Sequence, residues 1–271
     1  MNLFDIDYKI ETEHLKKQLE IYESTKKYIT LPDGKTIGIS QYSTVWDQLT
    51  PEFFRHISLF PNNYIFEPER EKRNEYRLQL DGLIKLIDNT DTTEQDLLKF
   101  INSNMYYFII ASVLRKYDFG HHVRYLFKEF QLGTSYKPDY VLIGGASGGL
   151  RIIFIELENI HENITMRDGS FGETIRKGIN QIEDWKTWID QNFLYIKENL
   201  EKYVGKHESL PKELINFDST RMNYLVIAGR RTHYNDKTYI LRRRAEKNNI
   251  RIWHYDNLID TFKSLIQQCA Y

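Results

Sequence analysis

Hydrophobic positions fall into two textures along the chain. Up to about residue 90 they come in short stretches, Tyr28-Ile29-Thr30-Leu31 and Thr36-Ile37-Gly38-Ile39, on either side of Pro32-Asp33-Gly34. Proline presets φ and glycine supplies φ > 0, so this segment reads as a short hairpin with helical segments before and after it. The apolar run Leu83 to Ile87 gives way to Asp88-Asn89-Thr90-Asp91-Thr92-Thr93, turn and capping residues with nothing to bury. A boundary is expected there, with an α+β accessory domain over 1–92 and a larger domain over 93–271.

From Glu94 the spacing turns helical: Leu97, Leu98, Ile101, Met105, Phe108, Ile109 and Leu114 predict one or two helices, with Thr92 or Thr93 as N-cap. Pro138 to Ile143 reads as a strand, Gly144 to Gly149 as a flexible hairpin turn, and Arg151 to Glu158 as a buried β-branched strand. Ile175, Ile179, Ile182, Trp185, Ile189, Phe193 and Ile196 lie on one face of a long amphipathic helix. A strand at Tyr224–Gly229, a helix at Tyr239–Asn248, a strand at Ile250–His254 and a helix from Leu258 complete an alternation that predicts an α/β fold, a mixed sheet with helices on its faces.

Composition narrows the class. The 271 residues are 41% hydrophobic with only 14 Gly and 6 Pro, which excludes collagenous and wholly disordered chains. No apolar run approaches the roughly 20 residues that span a bilayer, and acids occupy the N-terminus where a signal peptide needs basic then apolar residues, so a cytoplasmic protein is expected. The single cysteine, Cys269, excludes an intrachain disulfide and a multi-cysteine zinc site. Lys plus Arg number 37 against 38 Asp plus Glu, so any site for a polyanion must be local.

Acids at the end of an otherwise apolar strand need a reason, and Glu156 and Glu158, two residues apart, share a face. Asp139 opens the preceding strand. In an antiparallel hairpin the start of one strand lies beside the end of the next, which brings its carboxylate to the glutamates. Three such acids raise one another's pKa unless a cation sits among them, and hard oxygen ligands suit Mg²⁺ or Mn²⁺. Spacing alone leaves a second reading open, a solvated strand end paired with Arg151 or Arg167.

Pro138-Asp139, a hairpin, then Glu156-Leu157-Glu158 resembles the PD-(D/E)XK nuclease signature, with Glu158 where most members carry Lys. Phe130-Gln131-Leu132-Gly133, Phe154 to Asn159, Gln181-Ile182-Glu183-Asp184-Trp185 and Trp253 to Leu258 are similar to the Shedu family of prokaryotic anti-phage defence proteins. The resemblance spans about residues 94–260. It implies a restriction-endonuclease-like domain that hydrolyses DNA phosphodiesters with Mg²⁺ or Mn²⁺. Asp139 and Glu156 would bind the metal, Glu158 would take the third core position, and Gln181 would be the helix-borne polar residue of the site. Gln181 lies about 40° around the helix from Trp185, a position that also suits a solvated amide at the edge of the core. Glu129 is a weaker candidate acid.

Arg242-Arg243-Arg244, with Arg230, Arg231 and Lys247, forms the densest basic patch and is the candidate DNA contact, a solvated helix face being the alternative. His121, His122, His161, His233 and His254 show no paired ligand spacing. The expected protein is a metal-dependent DNA endonuclease, a homo-oligomer as nucleases that cut two strands often are. A DNA-binding sensor of the same fold, silenced by Glu158, is the alternative. A two-carboxylate glycosidase is disfavoured because both glutamates sit on one strand face.

Overall fold

The computed structural model describes residues 3–4, 12–30, 36–40, 48–206 and 208–271. These group into two compact units, one of Ile65–Lys202 and Pro211–Tyr271, the other of the described residues of Leu3–Tyr64 and Tyr203–Leu210.

The smaller unit holds α1 (Glu13–Ser24), capped by the Thr12 hydroxyl, the strands β1 (Lys26–Thr30) and β2 (Thr36–Ser40), and α2 (Pro51–His56). The expected hairpin is present, antiparallel in the register Lys26↔Ser40 to Thr30↔Thr36. Its Leu31–Gly34 turn lies outside the described residues. At the other end of this unit the buried Arg55 donates through Nε to the Pro61 carbonyl at 3.0 Å.

The larger unit opens with α3 (Arg73–Asp88), α4 (Glu94–Ser103) and α5 (Phe108–Ala111). Thr93 starts α4 with a reciprocal capping box to Asp96, so two donors otherwise left without partners are satisfied. Five strands follow in chain order as one sheet: β3 (Arg124–Lys128), β4 (Tyr140–Ala146), β5 (Gly149–Leu157), β6 (Met222–Ile227) and β7 (Ile250–Trp253). The first three form an antiparallel meander, and β5, β6 and β7 run parallel. Parallel neighbours need crossovers. Between β5 and β6 the chain passes through α6 (Glu173–Glu201) and the short α7 (Lys212–Ile215), and between β6 and β7 through α8 (Asp236–Ala245). The last helix, α9 (Tyr255–Gln268), packs against α3, α5 and the 3₁₀ turn at Ser112–Lys116.

This is the expected α/β architecture, a mixed sheet with helices around it, and it differs from the sequence reading in four places. Strand β3 was not foreseen: Arg124 and Lys128 flank it, yet the Arg124 guanidinium is buried and donates to the carbonyls of Ile65 and Gly120. The hairpin turn contracts to Ser147-Gly148, because Gly144 and Gly145 continue β4. Helix α8 begins at Asp236 rather than Tyr239, capped by Asn235, and α9 at Tyr255 rather than Leu258, because His254 Nδ1 accepts from Asn257 N and acts as the cap. Helix α6 carries the expected buried stripe through Ile182, Trp185 and Ile189, and kinks at Asn192, where φ is −132°. Cys269 is buried, ends α9 with φ 51°, and accepts from the Arg73 guanidinium through Sγ at 3.6 Å.

Candidate active site

The β4–β5 pairing places Tyr140 opposite Ile155, which brings the residue before β4, Asp139, to the end of β5. One carboxylate oxygen of Asp139, Oδ2, accepts from Leu157 N at 2.8 Å, so the acid is fixed by the strand it faces. Just beyond β5, Glu158 N donates to the Ile227 carbonyl at 2.8 Å, and the buried Tyr255 hydroxyl donates to the Glu158 carbonyl at 2.6 Å. The chain therefore stays extended past the strand end, and Glu156 and Glu158 remain on one side of it.

Neither glutamate is solvated: Glu156 is 5% and Glu158 2% exposed. This removes the reading of a solvated strand end, and Arg151 is paired elsewhere, with Asp118 at 2.9 Å. Burial of acids is costly without partners. Gln181 Nε2, from α6, donates to Glu156 Oε1 at 2.6 Å, and Lys177 Nζ donates to Glu158 Oε2 at 2.9 Å. Glu156 Oε2, Glu158 Oε1 and Gln181 Oε1 are buried with no hydrogen-bond partner.

A close helix approach makes these contacts. Gly178 lies between Lys177 and Gln181 and faces the sheet, where a Cβ would stand 2.7 Å from Val226 Cγ1 and 3.1 Å from Glu158 Cγ. Any larger side chain would lift α6 away from the carboxylates it contacts.

The electrostatics are those of crowded, dehydrated acids. Burial first, then the negative charges of Asp139, Glu158 and Glu94, push Glu156 up to about 9. Burial, with Glu94 and Glu158, raises Asp139 to about 7 against the opposing Leu157 N–H. Burial also raises Glu158, although its hydrogen bond from Lys177 opposes the shift. Burial works against the charged form of Lys177, yet the Glu158 bond and the charges of Glu158, Glu94 and Glu156 lift it above its ordinary value.

Two residues of this cluster were not singled out from sequence. Glu94, in the first turn of α4, acts by its charge on Asp139, Glu156, Glu158 and Lys177, and burial raises its own pKa. Lys177 stands one turn before Gln181 on α6, at the i, i+4 spacing that puts two side chains on one face. That spacing was the available signal once Gln181 was singled out. Glu94 carried none, since an acid in a helix's first turn is ordinary.

The remaining candidates lie elsewhere. Glu129 is exposed and paired with Lys137 at 2.9 Å, with φ 49°. Arg242 is largely spent on the Tyr234 and Tyr239 rings, 5.6 and 5.2 Å from their centroids, whereas Arg243 and Arg244 are exposed. His161 and His233 stack edge to face at 6.2 Å.

The donor chemistry suits a hard divalent cation: buried carboxylates with unpartnered oxygens, their pKa values raised by burial first and then by neighbouring acids, are what such an ion relieves. The carboxylates are not arranged around one point, however. Among the described residues no group of three His, Cys, Asp or Glu side chains is arranged to hold an ion; Asp139 Oδ2 accepts from a backbone N–H and Glu158 Oε2 from a lysine. No single helix among the described residues is long and apolar enough to cross a membrane.

Residues 91–259 match the family described as Shedu protein SduA, C-terminal. No curated protein matches the chain. Among solved structures it is similar to restriction endonuclease FokI bound to DNA, with 12% identity and a TM-score of 0.38 over 76% of this chain and 31% of that one.

Proposed function

The chain belongs to the Shedu SduA C-terminal family, and from that premise we propose that it is a metal-dependent DNA endonuclease of the PD-(D/E)XK kind acting in prokaryotic defence against phage. The observation that carries the reading is the pair of buried glutamates at the end of β5, facing Asp139, with carboxylate oxygens that no protein group satisfies. Nothing in a folding argument calls for that arrangement, since apolar residues there would cost far less.

Asp139 and Glu156 would hold Mg²⁺ or Mn²⁺, with Glu158 beside them. The cation, when bound, supplies Lewis acidity to the scissile phosphate and to an attacking water. The chain's own groups do the rest. Gln181 keeps Glu156 oriented through Oε1 and leaves Oε2 available, while the Leu157 N–H holds Asp139 in place. In the hydrolysis the water oxygen bonds to phosphorus, the bond from phosphorus to the 3′ oxygen breaks, and the water proton leaves as the 3′ oxygen gains one. Residues 1–92 lie almost wholly outside the family match and are proposed as the accessory region that senses the trigger. Arg243 and Arg244 are proposed to touch DNA away from the scissile bond, and a homo-oligomer would cut both strands.

The deciding experiment is cleavage of plasmid and linear DNA with Mg²⁺, Mn²⁺, Ca²⁺ or EDTA, beside Glu156→Ala. Metal-dependent cleavage that the variant loses is expected. Binding without cleavage under every metal would replace the reading with the silent sensor.

A further inference from the structure

The nuclease signature carries a lysine two residues after its glutamate, and this chain has Glu158 there. Yet a lysine reaches the side chain that stands there: Lys177, from α6, donates to Glu158 Oε2 at 2.9 Å. The two partners are unequal. The Glu158 side chain is 2% exposed and that of Lys177 60%. A buried carboxylate thus holds the end of a lysine that otherwise faces an open groove of about 430 Å³, lined also by Glu173, Arg176, Asn180, Gln181 and Asp184.

As a stabilising device the pair makes little sense. An ion pair with one partner in solvent contributes little, and the buried carboxylate costs more than an apolar residue would. Its other oxygen, Oε1, has no partner, so Glu158 is not satisfied by the pairing either. An ammonium has three N–H donors. One is taken by Glu158, and the other two have no protein acceptor among the described residues. They are available to an anion in the groove, which Gln181, the donor to Glu156 Oε1, also lines.

We propose that Lys177 is a catalytic residue that replaces the missing strand lysine by donating to the scissile phosphate, and that Glu158 is the positioning residue that holds its ammonium there. The inference rests on the nuclease reading and refines it: Glu158 serves through the lysine rather than as a metal ligand. Gly178 fits the same arrangement, because the close approach it permits sets how near Lys177 comes to the end of β5.

The test is single-turnover cleavage at saturating DNA with Mg²⁺ or Mn²⁺, with DNA affinity measured separately in Ca²⁺ and folding checked by circular dichroism. Lys177→Ala should lower the cleavage rate by about 100-fold, the usual cost of losing one donor to developing charge, with affinity little changed. Glu158→Gln with Lys177→Met, which removes both charges together, should stay as slow. Glu158→Lys with Lys177→Ala, which returns the ammonium from the strand, should recover to within about tenfold of wild type. Recovery in the charge-free pair would overturn the proposal, since Lys177 would then only have balanced Glu158. So would failure of the strand lysine to recover cleavage; if that variant misfolds, the charge-free pair decides alone. Full cleavage by Lys177→Ala, with Glu156→Ala inactive, overturns the lysine's role and leaves the nuclease reading standing. Absence of cleavage by the wild type under every metal overturns both.

Discussion

The two halves of the candidate site are built on different principles. The sheet-borne half, Asp139, Glu156 and Glu158, is acidic, buried and fixed by hydrogen bonds to the Leu157 N–H, the Ile227 carbonyl and the Tyr255 hydroxyl. The helix-borne half, Lys177 and Gln181, supplies only donors, reaches in from a solvent-facing groove, and depends on one glycine for its distance. The contrast separates two tasks. A set of like charges stays together only when its backbone leaves it no choice, whereas the groups that complement it can be carried on a surface that substrate also reaches.

The comparison breaks most completely at the strand. Glu156→Ala should lower metal-dependent cleavage by about a thousandfold while leaving the fold intact, as gel assays and circular dichroism would show. On the helix side Gln181→Ala frees Glu156 Oε1 without removing a carboxylate, and a loss nearer 100-fold in single-turnover rate is expected. Gly178→Ala probes the spacing between the halves: it should cost about 1–3 kcal/mol of stability through overpacking against Val226. It should also slow cleavage, read by thermal unfolding and rate together.

A subtler test uses protons. A carboxyl whose folded pKa is raised contributes stability that is present at low pH and lost as pH climbs through the folded value. Glu156, at about 9 against an ordinary 4.5, and Asp139, at about 7 against 3.8, should make the protein in EDTA melt at lower temperature as pH rises from 5 to 9. Glu156→Gln should flatten that slope, and a flat profile in the wild type would contradict the crowding of the acids. The smallest effect is expected farthest from both halves: Arg243→Ala or Arg244→Ala should each reduce the salt slope of DNA binding by about one, with cleavage at saturation unchanged.

The two halves also differ in how legible they were. Glu156 and Glu158 stood out because acids interrupt a β-branched run, and hairpin geometry then brought Asp139 to them; all of that is local along the chain. Gln181 was singled out by the family resemblance, and its angle to the apolar stripe only permitted the role, suiting a solvated amide equally well. Lys177 and Glu94 were not found, because an exposed lysine and a first-turn acid look the same whether they face water or a carboxylate cluster. Strand β3 was missed for the converse reason, a buried Arg124 whose partners, Ile65 and Gly120, are backbone carbonyls with no signature. The start of α9 was missed because an imidazole cap at His254 stands outside the usual Ser, Thr, Asp and Asn signals.

The sheet's topology has one more consequence, in the order of assembly. Strands β3, β4 and β5 pair with their neighbours through short connections, whereas β5 and β6 meet only after the whole α6 crossover has closed. Loop-closure entropy favours the local pairings first. Asp139 and Glu156 should therefore meet in an early folding intermediate, before α6 docks, and their repulsion is relieved there by water and protons alone. Refolding of the meander should consequently slow as pH rises, while docking of α6, which brings Lys177 and Gln181 to the acids, should form the late step on which a competent site depends.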